Sequence, residues 1–226
     1  MNRTLGVCSM RSMVLGCAAV LAAVPVAAPS TAPETRATVP LSVTAIATGG
    51  ARKTAVFAGG CFWGVEAVFE HLRGVKSVTS GYATPVAPTA DSTSTFHRGL
   101  AEAVRVVYDP DRISYEQLLQ VFFLVAHDPT QVDRQGPDVG PRYRSMVFIG
   151  DEDERRIVLT YLDSLRSRRV YAAPIATQIA ALHSFRIAED FHQDFVARHP
   201  QTAYVVAHDL PKLQELRRQY PGLYEE

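Results

Sequence analysis

Cys61 stands between Gly59-Gly60 and Phe62-Trp63, and Trp63 is the chain's single tryptophan. A thiolate is the nucleophilic form of cysteine, and a helix N-terminus is one of the few places that favours it without a metal. The competing role is that of a small buried hydrophobe. Glu102 lies in the run Ala101 to Tyr108, where a two-residue period puts it on one face with Val104, Val106 and Tyr108. Desolvation there would raise its pKa and keep it protonated near neutrality; solvent exposure at a sheet edge would not. A sulfur nucleophile beside a proton donor suits reduction of an oxidised polar group whose oxygen must be protonated as it departs.

Other side chains could complete such a site. Phe62 and Trp63 could floor a pocket for a small methyl-bearing group, or could simply fill core. Tyr143 could be a second donor aimed at oxygen, or a strand tyrosine with its hydroxyl in water. Asp138, in the Gly/Pro-framed stretch Gly136 to Pro141, could accept a substrate backbone N–H or close an Asx turn. His192 could line the site or ride a polar helix face. The seven histidines are scattered with no ligand spacing, so no metal is expected. Gly59-Gly60 has no Lys-Ser/Thr behind it, which removes a phosphate loop.

The elements that must position these groups follow from pattern. Thr54 to Ala58 is a buried strand ending at the glycine pair. Val65, Val68, Phe69 and Leu72 then form the stripe of a helix that Gly74 ends. Cys61 falls in its first turn, where no Ser, Thr, Asp or Asn occupies the capping position and the free N–H groups can face an anion. Val75 to Tyr82 and Ala101 to Tyr108 read as strands, with a loop from Ala83 to Gly99 between them. Ser114 with Gln117 forms a capping box ahead of a helix carrying Leu118, Phe122 and Val125, which Asp128-Pro129 stops. A strand is expected from Tyr143 to Ile149. Asp151 and Glu154 then cap a helix striped by Val158, Tyr161, Leu162 and Leu165. A short strand at Thr177 to Ile179 and helices over Ala188 to Arg198 and Leu210 to Gln219 complete the reading. Strands and helices interleave without repeats, as in an α/β or α+β two-layer domain.

Residues 1–28 read as a secretory signal peptide: Arg3 and Arg11 precede an apolar core from Met13 to Val24 and a small-residue cleavage region at Val26-Ala27-Ala28. Residues 29–50 read as a disordered linker and 51–226 as one domain. Export to the periplasm or beyond is expected, with membrane anchoring if the leader is kept. The 226-residue chain has 23 basic and 23 acidic residues; three of the basic and one of the acidic lie before residue 51, which leaves the domain at −2. That balance, without a like-charge block, gives no footing for nucleic-acid binding. Of the three cysteines, Cys8 and Cys17 leave with the signal peptide. The domain therefore keeps one unpaired thiol in an oxidising compartment.

The segments Gly60-Cys61-Phe62-Trp63-Gly64-Val65-Glu66, Ser80-Gly81-Tyr82-Ala83, Ala101-Glu102-Ala103-Val104-Arg105 and His127-Asp128-Pro129-Thr130-Gln131 resemble the A-type peptide methionine sulfoxide reductases. So do Arg134 to Gly140, Tyr143-Arg144-Ser145 and Ala188-Glu189-Asp190 with His192-Gln193. The resemblance covers about residues 54 to 205. It implies an α+β fold, a two-layer sandwich of a mixed sheet flanked by helices with a ferredoxin-like core. It also implies that Cys61 attacks the sulfur of methionine-S-sulfoxide, free or in proteins. Glu102 would protonate the oxygen with help from Tyr143, Phe62 and Trp63 would enclose the S-methyl group, and Asp138 and His192 would hold the substrate backbone. Methionine would leave with Cys61 as sulfenic acid.

Three departures bear on that expectation. Ala90 replaces a usual Tyr, Leu100 replaces a usual His in Gly99-Leu100-Ala101-Glu102, and Asp91 to Arg98 matches poorly. No C-terminal resolving cysteine is present, so an external thiol or thioredoxin-like reductant is expected to reduce the sulfenic acid, with no cofactor. A monomer is expected. Two other readings compete: a catalytically weakened homologue that binds oxidised or Met-rich peptides, and a cysteine hydrolase using His192 or His71 as base.

Overall fold

Strand β1, Lys53–Gly59, is bonded along both edges, antiparallel to β3 (Ala101–Tyr108) on one side and to β6 (Ser145–Ile149) on the other. The computed structural model describes residues 52–86 and 99–226. Strand β2, Val75–Pro85, continues from β3, and β7, Gln178–Ile187, runs antiparallel to β2 and parallel to β6. The order β1-β3-β2-β7-β6 thereby returns to β1 and closes a five-stranded barrel. The mixed sheet agrees with the sequence reading. The two-layer sandwich does not, because β6 and β7 each find a second partner and leave no open edge between two layers.

A narrow barrel leaves little room on its inner face. One buried cluster draws Val56 and Ala58 from β1, Ala83 from β2, Ala101 and Ala103 from β3, Met146 and Phe148 from β6, and Ala180 from β7. Five of those eight residues are alanine, which is what the space allows. The opposite strand faces, including Phe57, Val104, Val106 and Val147, pack against helices in a larger core. Those helices are α1 (Phe62–Glu70), α2 (Tyr115–Val121), α3 (Glu152–Ser167) and α5 (Leu210–Gln219).

Local signals in the sequence hold where they are local. The Ser114 hydroxyl accepts from the Gln117 N–H while the Gln117 side chain accepts from the Ser114 N–H. Asp151 caps α3 through the Glu154 N–H, and Val158, Tyr161, Leu162 and Leu165 are all buried. After Val121 the second helix widens into a π-helical turn, Phe122–Ala126.

Three expectations change. The loop expected from Ala83 begins later, since β2 runs to Pro85; residues 87–98, with Ala90, lie outside the described residues, as do the leader and linker. β7 is ten residues long rather than a short strand. The expected helix from Ala188 to Arg198 is broken into a 3-10 turn, Asp190–His192, and a short α4, Phe195–Arg198. Asp194 between them has φ 52°, a left-handed conformation no helix interior accepts.

Candidate active site

The turn into α1 needs both glycines. Gly60 has φ +95°, and a Cβ there would lie 2.4 Å from the Gln135 Cβ. Gln135 belongs to β4 (Arg134–Gln135), which pairs with β5 (Asp138–Val139). A small hairpin therefore lies directly over the turn that presents Cys61. Cys61 is the N-cap of α1 with no side-chain cap bond, as the sequence implies.

Its environment is not the one expected. Cys61 is buried, at 9% exposure. Burial pushes its thiol up to about 12, and the nearby Glu102 and Asp209 push the same way. The Trp63 backbone N–H and the Tyr204 hydroxyl favour the anion but are outweighed. The helix-start effect is real and smaller than desolvation, so the free enzyme holds a neutral thiol at physiological pH.

Glu102 behaves as its strand face suggests. It is 7% exposed, and burial raises its carboxyl to about 7, opposed by the Phe62 N–H and Arg142. The Phe62 N–H donates to Glu102 Oε2 at 3.4 Å, which sets the acid at the first turn of α1 beside Cys61. Tyr143 is not on a strand; it ends a 3-10 turn, Pro141–Tyr143, just before β6. Its hydroxyl is raised by burial first and then by Glu102 and Asp138, which puts it in the same group of side chains.

Phe62 is buried, edge-on to Tyr82 at 5.6 Å and to His192 at 5.1 Å. Trp63 is half-buried, stacked on Phe195 at 3.7 Å and edge-on to Tyr204 at 5.6 Å. Its Nε1–H donates to His192 Nδ1 at 3.1 Å, which directs that ring to the aromatic wall. The His192 imidazole is held below its ordinary pKa by partial burial. Asp138 Oδ2 accepts from the Tyr204 hydroxyl. All seven residues singled out in the sequence thus converge on the start of α1.

Two residues escaped the sequence reading. Tyr204, in a stretch without periodicity, joins Asp138 to Cys61 and flanks Trp63. Glu66, although inside the quoted motif, had no role. It is 1% exposed, and it accepts the Ser80 N–H at 3.1 Å and the Asp194 N–H at 3.0 Å. Gln193 bonds Ser80 through both its amide atoms. Together they fix the broken segment that carries His192 onto α1 and β2, and they explain why a helix there loses.

His71 caps the far end of α1, its Nδ1 2.7 Å from the Ala67 carbonyl. Ten residues of helix put it ~15 Å from Cys61, out of reach as a base. Among the described residues no His/Cys/Asp/Glu group could hold a metal ion.

The family model for peptide methionine sulfoxide reductase matches residues 53–222. The chain belongs to this family. Its relatives include peptide methionine sulfoxide reductase MsrA 2 of Synechocystis, 46% identical over 80% of this chain and 84% of that protein. Another is MsrA of Natronomonas pharaonis, 47% identical over 74% of this chain and 94% of that protein. Among solved structures, reduced Mxr1 from Saccharomyces cerevisiae superimposes with a TM-score of 0.57 at 28% identity, covering 66% of this chain and 87% of that one. Methionine sulfoxide reductase A of Corynebacterium diphtheriae gives 0.53 at 32% identity, covering 66% and 76%. The protein is an oxidoreductase that reduces methionine sulfoxide with thiols, and neither competing reading is favoured.

Proposed function

We propose that Cys61 is the nucleophile and Glu102 the acid in reduction of methionine-S-sulfoxide, free or in exported proteins. The observation that carries this is a buried thiol at an uncapped helix start beside a buried carboxyl whose pKa is raised to about 7. Sulfur attacks the sulfoxide sulfur, the S–O bond breaks, and oxygen passes to Cys61 as sulfenic acid while methionine departs as the thioether. The proton that Cys61 gives up balances the one Glu102 delivers to oxygen, so none is consumed overall. Tyr143 is a second donor to that oxygen. Phe62 and Trp63 surround the S-methyl group, and Asp138 and His192 hold the substrate backbone.

Two electrons from an external thiol or thioredoxin-like protein then return sulfenic acid to thiol and release water. The protein acts as a monomer outside the cytoplasm, delivered there by residues 1–28. Among the described residues no helix is long and apolar enough to cross a membrane. Assayed on both sulfoxide epimers with dithiothreitol, the wild type consumes the S form and Cys61→Ser consumes neither. Full activity in that variant, or turnover of the R form alone, refutes the assignment.

A further inference from the structure

Asp209 is fully buried, yet its carboxyl ignores the task its position suggests. It occupies the N-cap of α5 without a side-chain bond to that helix's N–H groups, where an aspartate ordinarily accepts one. Instead Oδ1 lies 3.3 Å from Lys212 Nζ, and Oδ2 has no hydrogen-bond partner among the described residues. Both groups reach across to α1. A Cβ built on Gly64 would fall 2.1 Å from Asp209 Oδ1 and 2.6 Å from Lys212 Nζ. The ion pair therefore fills the space of the missing Gly64 side chain. Cys61 is the N-cap of α1 and Gly64 its third residue, positions that lie side by side in a helix's first turn. Ala67, Val196 and Val205 form a buried apolar cluster shared by these elements, with the partly buried Leu210 and Leu213 packed against it.

We propose that the Asp209–Lys212 pair, seated in the notch left by Gly64, is a positioning device that governs how readily the Cys61 thiol ionises. A carboxylate in low dielectric opposes a second anion nearby, and the ammonium limits that opposition. The other groups around the sulfur are Glu102 from β3 and Tyr204 from the turn before α5, with Asp138 of β5 behind Tyr204 and His208 beside Asp209. Glu102 and Asp209 are the two carboxyls that oppose the thiolate, and Asp209 is held in an ion pair with the partly buried Lys212. The pair adds to the burial that keeps the thiol protonated between turnovers, and leaves it adjustable by small changes of charge.

The proposal rests on Cys61 as the reacting thiol, but its test does not use sulfoxide turnover. The rate of iodoacetamide alkylation at pH 8, read on the Cys61 peptide by mass spectrometry in the full-length chain, reports the thiolate fraction. Thiolate absorbance near 240 nm, followed in a titration from pH 8 into the alkaline range and taken as a difference from Cys61→Ser, separates ionisation from access. Asp209→Asn removes the anion and keeps the cation, so Cys61 reacts faster, by about tenfold for each unit its pKa falls. The double variant Asp209→Asn/Lys212→Met replaces the pair with neutral groups of similar size, a change buried ion pairs often tolerate. It reacts at a rate between the single variant and the wild type. If the folded double variant reacts no faster than wild type, or faster without a gain in thiolate absorbance, the proposal is overturned.

Discussion

Cys61 and Glu102 share one low-dielectric environment that raises the pKa of both, with opposite consequences. For the carboxyl, a value raised to about 7 keeps the proton it must donate. For the sulfur, a value raised to about 12 leaves the free enzyme with a neutral thiol and little of the nucleophilic form. Protonation of Glu102 is complete in mild acid and lost as pH rises through about 7, while the Cys61 thiolate fraction grows over the same range, so the two ionisations oppose each other in the pH-rate profile. Glu102→Gln keeps an acceptor for the Phe62 N–H but has no proton to give. We expect kcat to fall by roughly 10²–10⁴-fold and the pH-rate profile to lose its limb near neutrality. Tyr204→Phe removes a hydroxyl that Asp138 accepts and that favours the Cys61 anion. A hydrogen bond to a charged group contributes ~1.5–3 kcal/mol, so kcat/KM on a peptide substrate should drop roughly tenfold or more. An unchanged kcat/KM would remove Tyr204 from the site.

The acid and its helper arrive on separate elements, and Arg144 ties them together. Its guanidinium, 2% exposed, donates to the Gly99 and Leu100 carbonyls ahead of β3 and to the Pro141 carbonyl in the turn that carries Tyr143. Its Nε reaches the Met146 sulfur on β6 at 3.2 Å. This fork orders the start of the Glu102 strand through the Gly99 and Leu100 backbone carbonyls. Arg144→Lys keeps a cation but cannot reproduce the fork. Leaving buried carbonyls unpaired should cost ~1–3 kcal/mol. Calorimetry should show a lower Tm, and kinetics a loss in kcat with KM little changed. Loss in KM alone would mean that Arg144 serves substrate binding and not the acid's placement.

At the scale of the whole molecule, several carboxyls among the described residues are buried, and desolvation outweighs what their neighbours return. Burial raises Glu66 and Glu102 to about 7 each, and burial beside Glu66 raises Glu70 as well. A carboxyl with a raised native pKa binds its proton more tightly folded than unfolded. Its stabilising share is complete below the unfolded value near 4.5 and is lost as pH climbs through about 7. The exposed ion pairs, such as Arg156 with Asp153 and Arg166 with Asp163, are too well solvated to offset this. Thermal unfolding should therefore show Tm declining between about pH 5 and pH 8. Glu66→Gln should flatten that slope by on the order of 2–3 kcal/mol across the window. A Tm that rises over the same range would contradict the burial of these groups.

Features set by neighbours in the chain were legible without coordinates. The Ser114–Gln117 box, the apolar stripe of α3, the uncapped start of α1 and the face shared by Glu102, Val104 and Val106 depend on spacings of a few residues. Motif order along the chain was enough to name the family. What depends on distant residues could not be read. Barrel closure needs β1 to pair with both β3 and β6, and Tyr204 gains its role from Asp138, 66 residues earlier. Asp194 leaves the helical region because Glu66, on another element, receives its N–H. The direction of the Cys61 shift was missed for the same reason. A helix start acts locally and is visible in sequence, whereas desolvation sums over every side chain that packs around the sulfur.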